Sequence, residues 1–193
     1  MTQILPTDLL SAALENGRKG GLMTQQNLIT KLPPEPHEAM INRFGKEGAF
    51  IPGDDKNNPW VPFGDSAAIK HLAFDVRSNS VANILWVKGG GRIGTHKHRG
   101  VVSAVTLEGS WGYYEYDWIS RPGDFVYELP GTAHTLYSDD PNGMKALFWI
   151  NGAIEFFDDE AKYDFTADVF WFIDHYVKHC EANGLEINKD MFI

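Results

Sequence analysis

Gly90-Gly91-Arg92-Ile93-Gly94-Thr95-His96-Lys97-His98 sets two histidines one residue apart, just after a glycine cluster. On a β-strand, residues at i and i+2 share a face, so His96 and His98 aim two imidazoles at one point. A helix would splay them by about 200°. The flanks are strand-like: Val81 to Val87 before and Val101 to Leu107 after are rich in β-branched and apolar residues. A third histidine, His134, follows the turn signal Pro130-Gly131 and opens another short strand. The chain reads as a β-barrel that brings His134 onto the His96/His98 pair.

Working outward, short apolar runs separated by turn residues fill the region from Phe50 onward. Strands are expected at Trp60–Phe63, Ile69–Val76, Ser80–Val87, His96–Leu107, Ser110–Trp118, Asp124–Glu128, Thr135–Tyr137 and Lys145–Ile150. Short strands at regular spacing point to an all-β sandwich or barrel. The barrel is expected over residues 50–160. Residues 1–49 are expected to form an N-terminal extension with short helices at Thr7–Glu15 and around His37–Phe44, with the stiff linker Leu32-Pro33-Pro34-Glu35-Pro36 between them. Residues 161–193 form a C-terminal helical segment. Its helix, Asp168 to Ala182, carries Val169, Phe170, Phe172, Ile173, Tyr176 and Val177 as an apolar face, with Asn183-Gly184 as a cap. His175 and His179 are four apart on it, but no glutamate lies between them, so they read as residues of its polar side. His71, on a strand among apolar neighbours, reads as an ordinary half-buried histidine.

The 193 residues fit one domain with terminal additions, and 43% hydrophobic and 13% aromatic residues suffice for a core. A formal charge of −9 argues against nucleic acid and anionic membranes as partners. A single cysteine, Cys180, excludes an internal disulfide and fits a reducing compartment. No apolar run is long enough to span a membrane, and Met1 to Pro6 lack the regions of a signal peptide. A cytoplasmic location is therefore expected.

Gly90 six positions before His96, the pair His96/His98, Gly123-Asp124, Pro130-Gly131 and His134 resemble the two motifs of the cupin superfamily. The resemblance covers roughly Ile69 to Asp158 and implies a jelly-roll β-barrel with a metal inside. Many cupins carry a glutamate ligand four or five residues after the second histidine; this chain has Val102 and Ser103 there. Glu108, in a turn, and Glu115, within the aromatic run Ser110–Trp118, are the carboxylates weighed as replacements. Glu115 is preferred, because a buried acid needs a cation or donors; its alternative is an ion pair with Arg92, Arg99 or Arg121.

The runs Leu107–Trp118 and Pro122–Leu136 look like the 2,4′-dihydroxyacetophenone dioxygenase group of cupins, to which acetylacetone-cleaving enzymes are similar. That resemblance implies a non-haem Fe(II) enzyme that cleaves a C–C bond with O2, giving carboxylic acids. The substrate would be an aromatic 2-hydroxyketone or a β-diketone. It maps the metal site onto His96, His98, His134 and Glu115, with Glu115 also a catalytic base. Histidine and carboxylate ligands also suit Zn, Ni, Mn or Cu. Trp86, Trp111, Tyr113 and Phe148 are expected to wall the substrate pocket. The alternatives are a sugar isomerase or epimerase and a non-enzymatic metal- or small-ligand-binding cupin. A homodimer is expected from the resemblance.

Overall fold

A computed structural model describes residues 48–56 and 58–193, which lie in one compact unit, Gly48–Ile193. The sequence-based expectations for Thr7–Glu15 and His37–Phe44 lie outside the described residues. The strands are β1 (Trp60–Phe63), β2 (Ala67–Asp75), β3 (Ser80–Val87), β4 (Gly91–Arg92), β5 (His96–His98), β6 (Val102–Gly109) and β7 (Gly112–Tyr113). After these come β8 (Phe125–Glu128), β9 (Ala133–His134), β10 (Leu136–Ser138), β11 (Met144–Asn151), β12 (Ile154–Phe157) and β13 (Tyr163–Ala167). Helix α1 (Val169–Asn183) and a 3₁₀ turn (Lys189–Met191) end the chain.

The strands form a six-stranded sheet in the order β1-β2-β3-β11-β6-β8, a four-stranded sheet β13-β12-β5-β9 and a three-stranded sheet β4-β10-β7. Neighbouring strands within these sheets run antiparallel. The fold is the all-β cupin jelly roll. Alternation puts Val102, Ala104 and Thr106 of β6, and Met144, Ala146, Phe148 and Ile150 of β11, on the buried face. Their neighbours Ser103, Val105, Lys145 and Leu147 are half-buried on the other face.

Two expectations for strand extent change. The run His96–Leu107 is two strands in different sheets, broken at Arg99-Gly100-Val101. A Cβ at Gly100 would lie 1.9 Å from the Asn151 carbonyl oxygen, so only glycine lets the chain pass there. The run Ser110–Trp118 is strand only at Gly112–Tyr113 and then turns, with the Tyr116 amide donating to the Tyr113 carbonyl at 3.1 Å. Strands β12 and β13, not anticipated from sequence, complete the four-stranded sheet.

Helix α1 packs Val169, Phe172, Tyr176 and Cys180 into the core. Asp168 caps its start by accepting from the Trp171 amide at 2.9 Å, and Gly184, at φ 64°, caps its end. Phe170, assigned to the apolar face from sequence, is 62% exposed. His175 is not on the polar side as expected. It lies half-buried, stacked on Trp171 with ring centroids 5.0 Å apart.

His71 is fully buried rather than half-buried, among Phe74, Phe172, His175 and Tyr176. Its tautomer follows from a short relay. The Pro62 carbonyl can only accept, so His175 Nε2 donates to it at 2.9 Å. His175 Nδ1 is then the acceptor for His71 Nε2–H at 3.2 Å, which leaves His71 Nδ1 bare and without a partner. Burial first, then the charges of His175 and His179, pushes His71 down from 6.5 to about 3. The unfolded chain therefore takes up a proton on His71 below about pH 6.5 while the fold refuses it until about pH 3. Stability falls as pH drops through that window. Between pH 7 and pH 5 the contribution of His71 to that loss is about 2 kcal/mol. Urea unfolding at the two pH values should show a smaller pH-dependent loss in His71→Gln than in the wild type, whatever the absolute stability of the variant.

Candidate metal centre

Three histidines meet because three local features are in register. On β5, alternation turns His96 and His98 to the same buried side, with Lys97 between them facing away. On β9, His134 is the direct cross-strand partner of His96. Gly131, at φ 93°, makes the turn that delivers β9, and its amide donates to the His98 carbonyl at 2.8 Å. His96, His98 and His134 are 5%, 3% and 1% exposed. Each offers a ligand atom, and these atoms lie within 4.8 Å of one another.

The protonation states suit a metal. His96 Nδ1 faces the Gly94 carbonyl at 2.8 Å, which fixes the proton on Nδ1 and leaves Nε2 as a free lone pair. Burial, then the charges of His98 and His134, holds His96 well below its ordinary value. Burial likewise brings His134 down to about 4, against the pull of Glu128. Both rings are neutral at pH 7, as ligation requires. His134 is also clamped face to face against Tyr113, with ring centroids 3.7 Å apart and 10° between planes.

The carboxylate of this site is Glu128, not Glu115. Glu128 ends β8, is 6% exposed, and sets Oε2 3.0 Å from His98 Nε2 and 3.3 Å from His134 Nε2. Its other oxygen accepts from the Tyr113 hydroxyl at 2.5 Å. Burial, then the Glu128 charge and that hydrogen bond, pushes the Tyr113 phenol well above 10, so it stays a donor. Glu115 is exposed in the turn after β7, where its carboxylate accepts from the Thr135 amide at 2.8 Å. Glu108 is exposed at the end of β6 and pairs with Lys145 at 2.8 Å. The arginine pairing weighed for Glu115 is not formed among the described residues, whose arginine ion pairs are Arg92–Asp159 and Arg99–Glu155.

Glu128 Oε2 and both ring nitrogens of His134 are buried without a hydrogen-bond partner. Leaving such atoms unpaired costs about 1–3 kcal/mol each. A divalent cation among them would remove much of that cost, so the residues fit a metal with histidine and carboxylate donors.

A cavity of about 50 Å³ opens beside the histidines. Its wall includes His96, His98, Tyr113, Phe148, Phe156 and Asn83. Two of the four expected pocket aromatics, Tyr113 and Phe148, therefore line it. Trp111 stands behind them, its ring 5.4 Å from Tyr113 and 5.5 Å from Phe148, with Nε1 donating to Thr106 Oγ1 at 2.8 Å. Trp86 alternates with the inward-facing Leu85 and Val87 and so lies on the outer side of β3. Trp171 and Phe172 of α1 close one side of the cavity, a role for the C-terminal helix that the sequence did not suggest.

No curated protein sequence matches the chain. Among solved structures, an RmlC-like cupin protein from Ralstonia eutropha is 25% identical with a TM-score of 0.70, over 75% of this chain and 94% of that one. An acetylacetone dioxygenase from Acinetobacter johnsonii is 16% identical with a TM-score of 0.62, over 69% and 93%. A putative acetylacetone dioxygenase from Methylibium petroleiphilum is 14% identical with a TM-score of 0.56, over 62% and 88%. At those identities the two dioxygenases show a shared fold. The family described as the ChrR Cupin-like domain matches residues 51–154, more than half of the chain. The jelly roll, the buried histidine triad and this match together make the chain a member of the ChrR cupin-like domain family.

Proposed function

We propose that the chain is an Fe(II)-dependent dioxygenase that cleaves a C–C bond of a small ketone bearing a second oxygen, a β-diketone or a 2-hydroxyketone. The observation that carries this reading is three buried histidines, two of them lining an apolar cavity, with a buried carboxylate beside them. Three histidines leave room on an octahedral ion for two substrate oxygens and O2. When bound, Fe(II) would supply Lewis acidity toward the substrate oxygens and the electrons that activate O2.

The chain's own residues then have separate tasks. His96, His98 and His134 hold the ion. Tyr113 holds Oε1 of Glu128 by its hydroxyl and braces His134 by its ring. Glu128 Oε2, free of hydrogen bonds, accepts the acidic proton from the carbon beside the substrate carbonyl. Ile69, Leu85, Phe148 and Phe156 keep bulk water from that proton and from O2. The atoms balance: a 2-hydroxyketone and O2 give two carboxylic acids.

The cavity favours the small end of the substrate range. About 50 Å³ holds a few water molecules, so an aromatic ring would have to push its lining apart. A sugar isomerase is disfavoured, since the wall is mostly apolar. The narrowness of the cavity also favours a second reading, a domain that binds metal and a small ligand without chemistry. One experiment separates them. Full chain loaded with Fe(II) is given pentane-2,4-dione or hydroxyacetone in an oxygen electrode, and products are analysed under labelled O2. Oxygen uptake with label in a carboxylate is the expected result. Metal and ligand uptake without oxygen consumption would establish the binding domain instead.

A further inference from the structure

Among the described residues, Asn83 is the one polar residue of the cavity wall apart from His96, His98 and Tyr113. It lies mid-strand on β3, directly across from Phe148 on β11 and from His71 on β2. Strand alternation turns it inward with Leu85, onto the wall that faces β5 and β12. It is 3% exposed, yet its carboxamide makes no hydrogen bond with any described residue. The amide is not turned to His71, whose Nδ1 is itself without a partner. Of the other polar groups of the wall, the Tyr113 hydroxyl is committed to Glu128 and His96 Nδ1 to the Gly94 carbonyl, while His98 Nδ1 has no hydrogen-bond partner among the described residues.

A mid-strand asparagine with an apolar cavity before it is a poor choice for packing. Leucine has the same branching at Cγ and no donor to leave unpaired. A site built to hydrogen-bond a ligand oxygen, by contrast, rejects the analogue that lacks it. We propose that Asn83 is a specificity-determining residue: its carboxamide N–H donates a hydrogen bond to a carbonyl or enolate oxygen of a small ketone held between the β3 wall and the histidine wall. This rests on the reading of the cavity as a substrate site but not on iron or O2.

The test is a cycle of two proteins and two probes. The probes are butanone and 2-methylbut-1-ene, which replaces C=O by C=CH2 at nearly equal shape. Wild type and Asn83→Leu, as full chains, are titrated by NMR, first loaded with Zn(II) and then without added metal. The butanone-to-alkene affinity ratio is expected to fall by about fivefold to tenfold in Asn83→Leu, in both metal states. In the wild type, the Asn83 side-chain amide resonances should shift with butanone and not with the alkene. This second readout needs no variant and so survives a misfolded one. A ratio unchanged within about twofold overturns the proposal, as do amide resonances that ignore butanone. A lower melting temperature with an unchanged ratio would assign Asn83 to the architecture of the sheet. If Zn(II) fails to bind, the proposed function fails, while the arm without metal still decides the role of Asn83.

Discussion

Replacing His134 with alanine is expected to abolish tight metal binding, with an affinity loss above about 100-fold. Loss of a residue that merely orients a ligand costs about 10- to 100-fold, and His134 is a ligand candidate rather than a support. Its neighbours cannot take its place. His96 already spends Nδ1 on the Gly94 carbonyl, and Glu128 is tied to Tyr113 through one oxygen. His175 and His71 are joined to each other elsewhere, against helix α1. Two histidines and a carboxylate would remain, a set that still binds divalent ions, but more weakly. The measurement is metal content after dialysis, together with competition against a chromophoric chelator. Glu108→Gln serves as the control, because Glu108 pairs with Lys145 at the surface. Since His134 is stacked on Tyr113, the variant also opens space in the core, so its melting temperature should be compared with metal present and absent. A melting gain on adding Zn(II) as large in the variant as in the wild type would contradict the assignment, as would full metal occupancy in the variant.

The histidine triad was legible because its causes are local. An i, i+2 pair on a strand shares a face whatever the strand pairs with, and a Pro-Gly turn ahead of His134 announces a strand start. The carboxylate was not legible in the same way. Within Phe125-Val126-Tyr127-Glu128, hydrophobic patterning alone would turn Phe125 and Tyr127 inward. The structure does the reverse: they are 62% and 57% exposed, and Glu128 is buried. What turns the strand over is the long-range pairing of Val102 with Glu128 on β6 and β8, which no local pattern records. The one available signal was position, an acid closing a strand immediately before the turn that carries His134.

Glu115 misled for a related reason. Its aromatic neighbours suggested a strand with both faces covered, but they pack around a turn. Tyr114 stacks on Tyr137 and Tyr116 on Trp118, so the aromatic density reflects contacts between rings rather than a buried sheet. The cavity wall was half legible for the same cause. Tyr113 and Phe148 depend on strand alternation near recognisable motifs, whereas Trp171 and Phe172 reach the cavity only because α1 packs back across the sheets. Asn83 could be placed on its strand from the sequence. That its amide lacks a partner among the described residues could not, because that depends on what faces it.

The Glu128→Gln substitution should lower turnover by about 100- to 10,000-fold while leaving most of the metal in place. The range is that of losing a positioned general base. Glutamine keeps the shape and still offers an oxygen to the Tyr113 hydroxyl, so the brace against His134 survives. What it removes is the charge and the proton-accepting power at the atom 3.0 Å from His98 Nε2. The step can be isolated from oxygen chemistry. With Zn(II) in the site there is no redox change, yet the substrate C–H is still acidified, so exchange of that proton for deuterium reports the base alone. In pentane-2,4-dione, wild-type protein loaded with Zn(II) should speed that exchange, and Glu128→Gln should not. Tyr113→Phe should fall between them, since it frees Oε1 without removing the carboxylate. Glu115→Gln should match the wild type, because Glu115 accepts only from the Thr135 amide at an exposed turn. If Glu115→Gln loses exchange and Glu128→Gln retains it, the base has been misassigned, and the carboxylate against His98 and His134 would then be a support for the ligands alone.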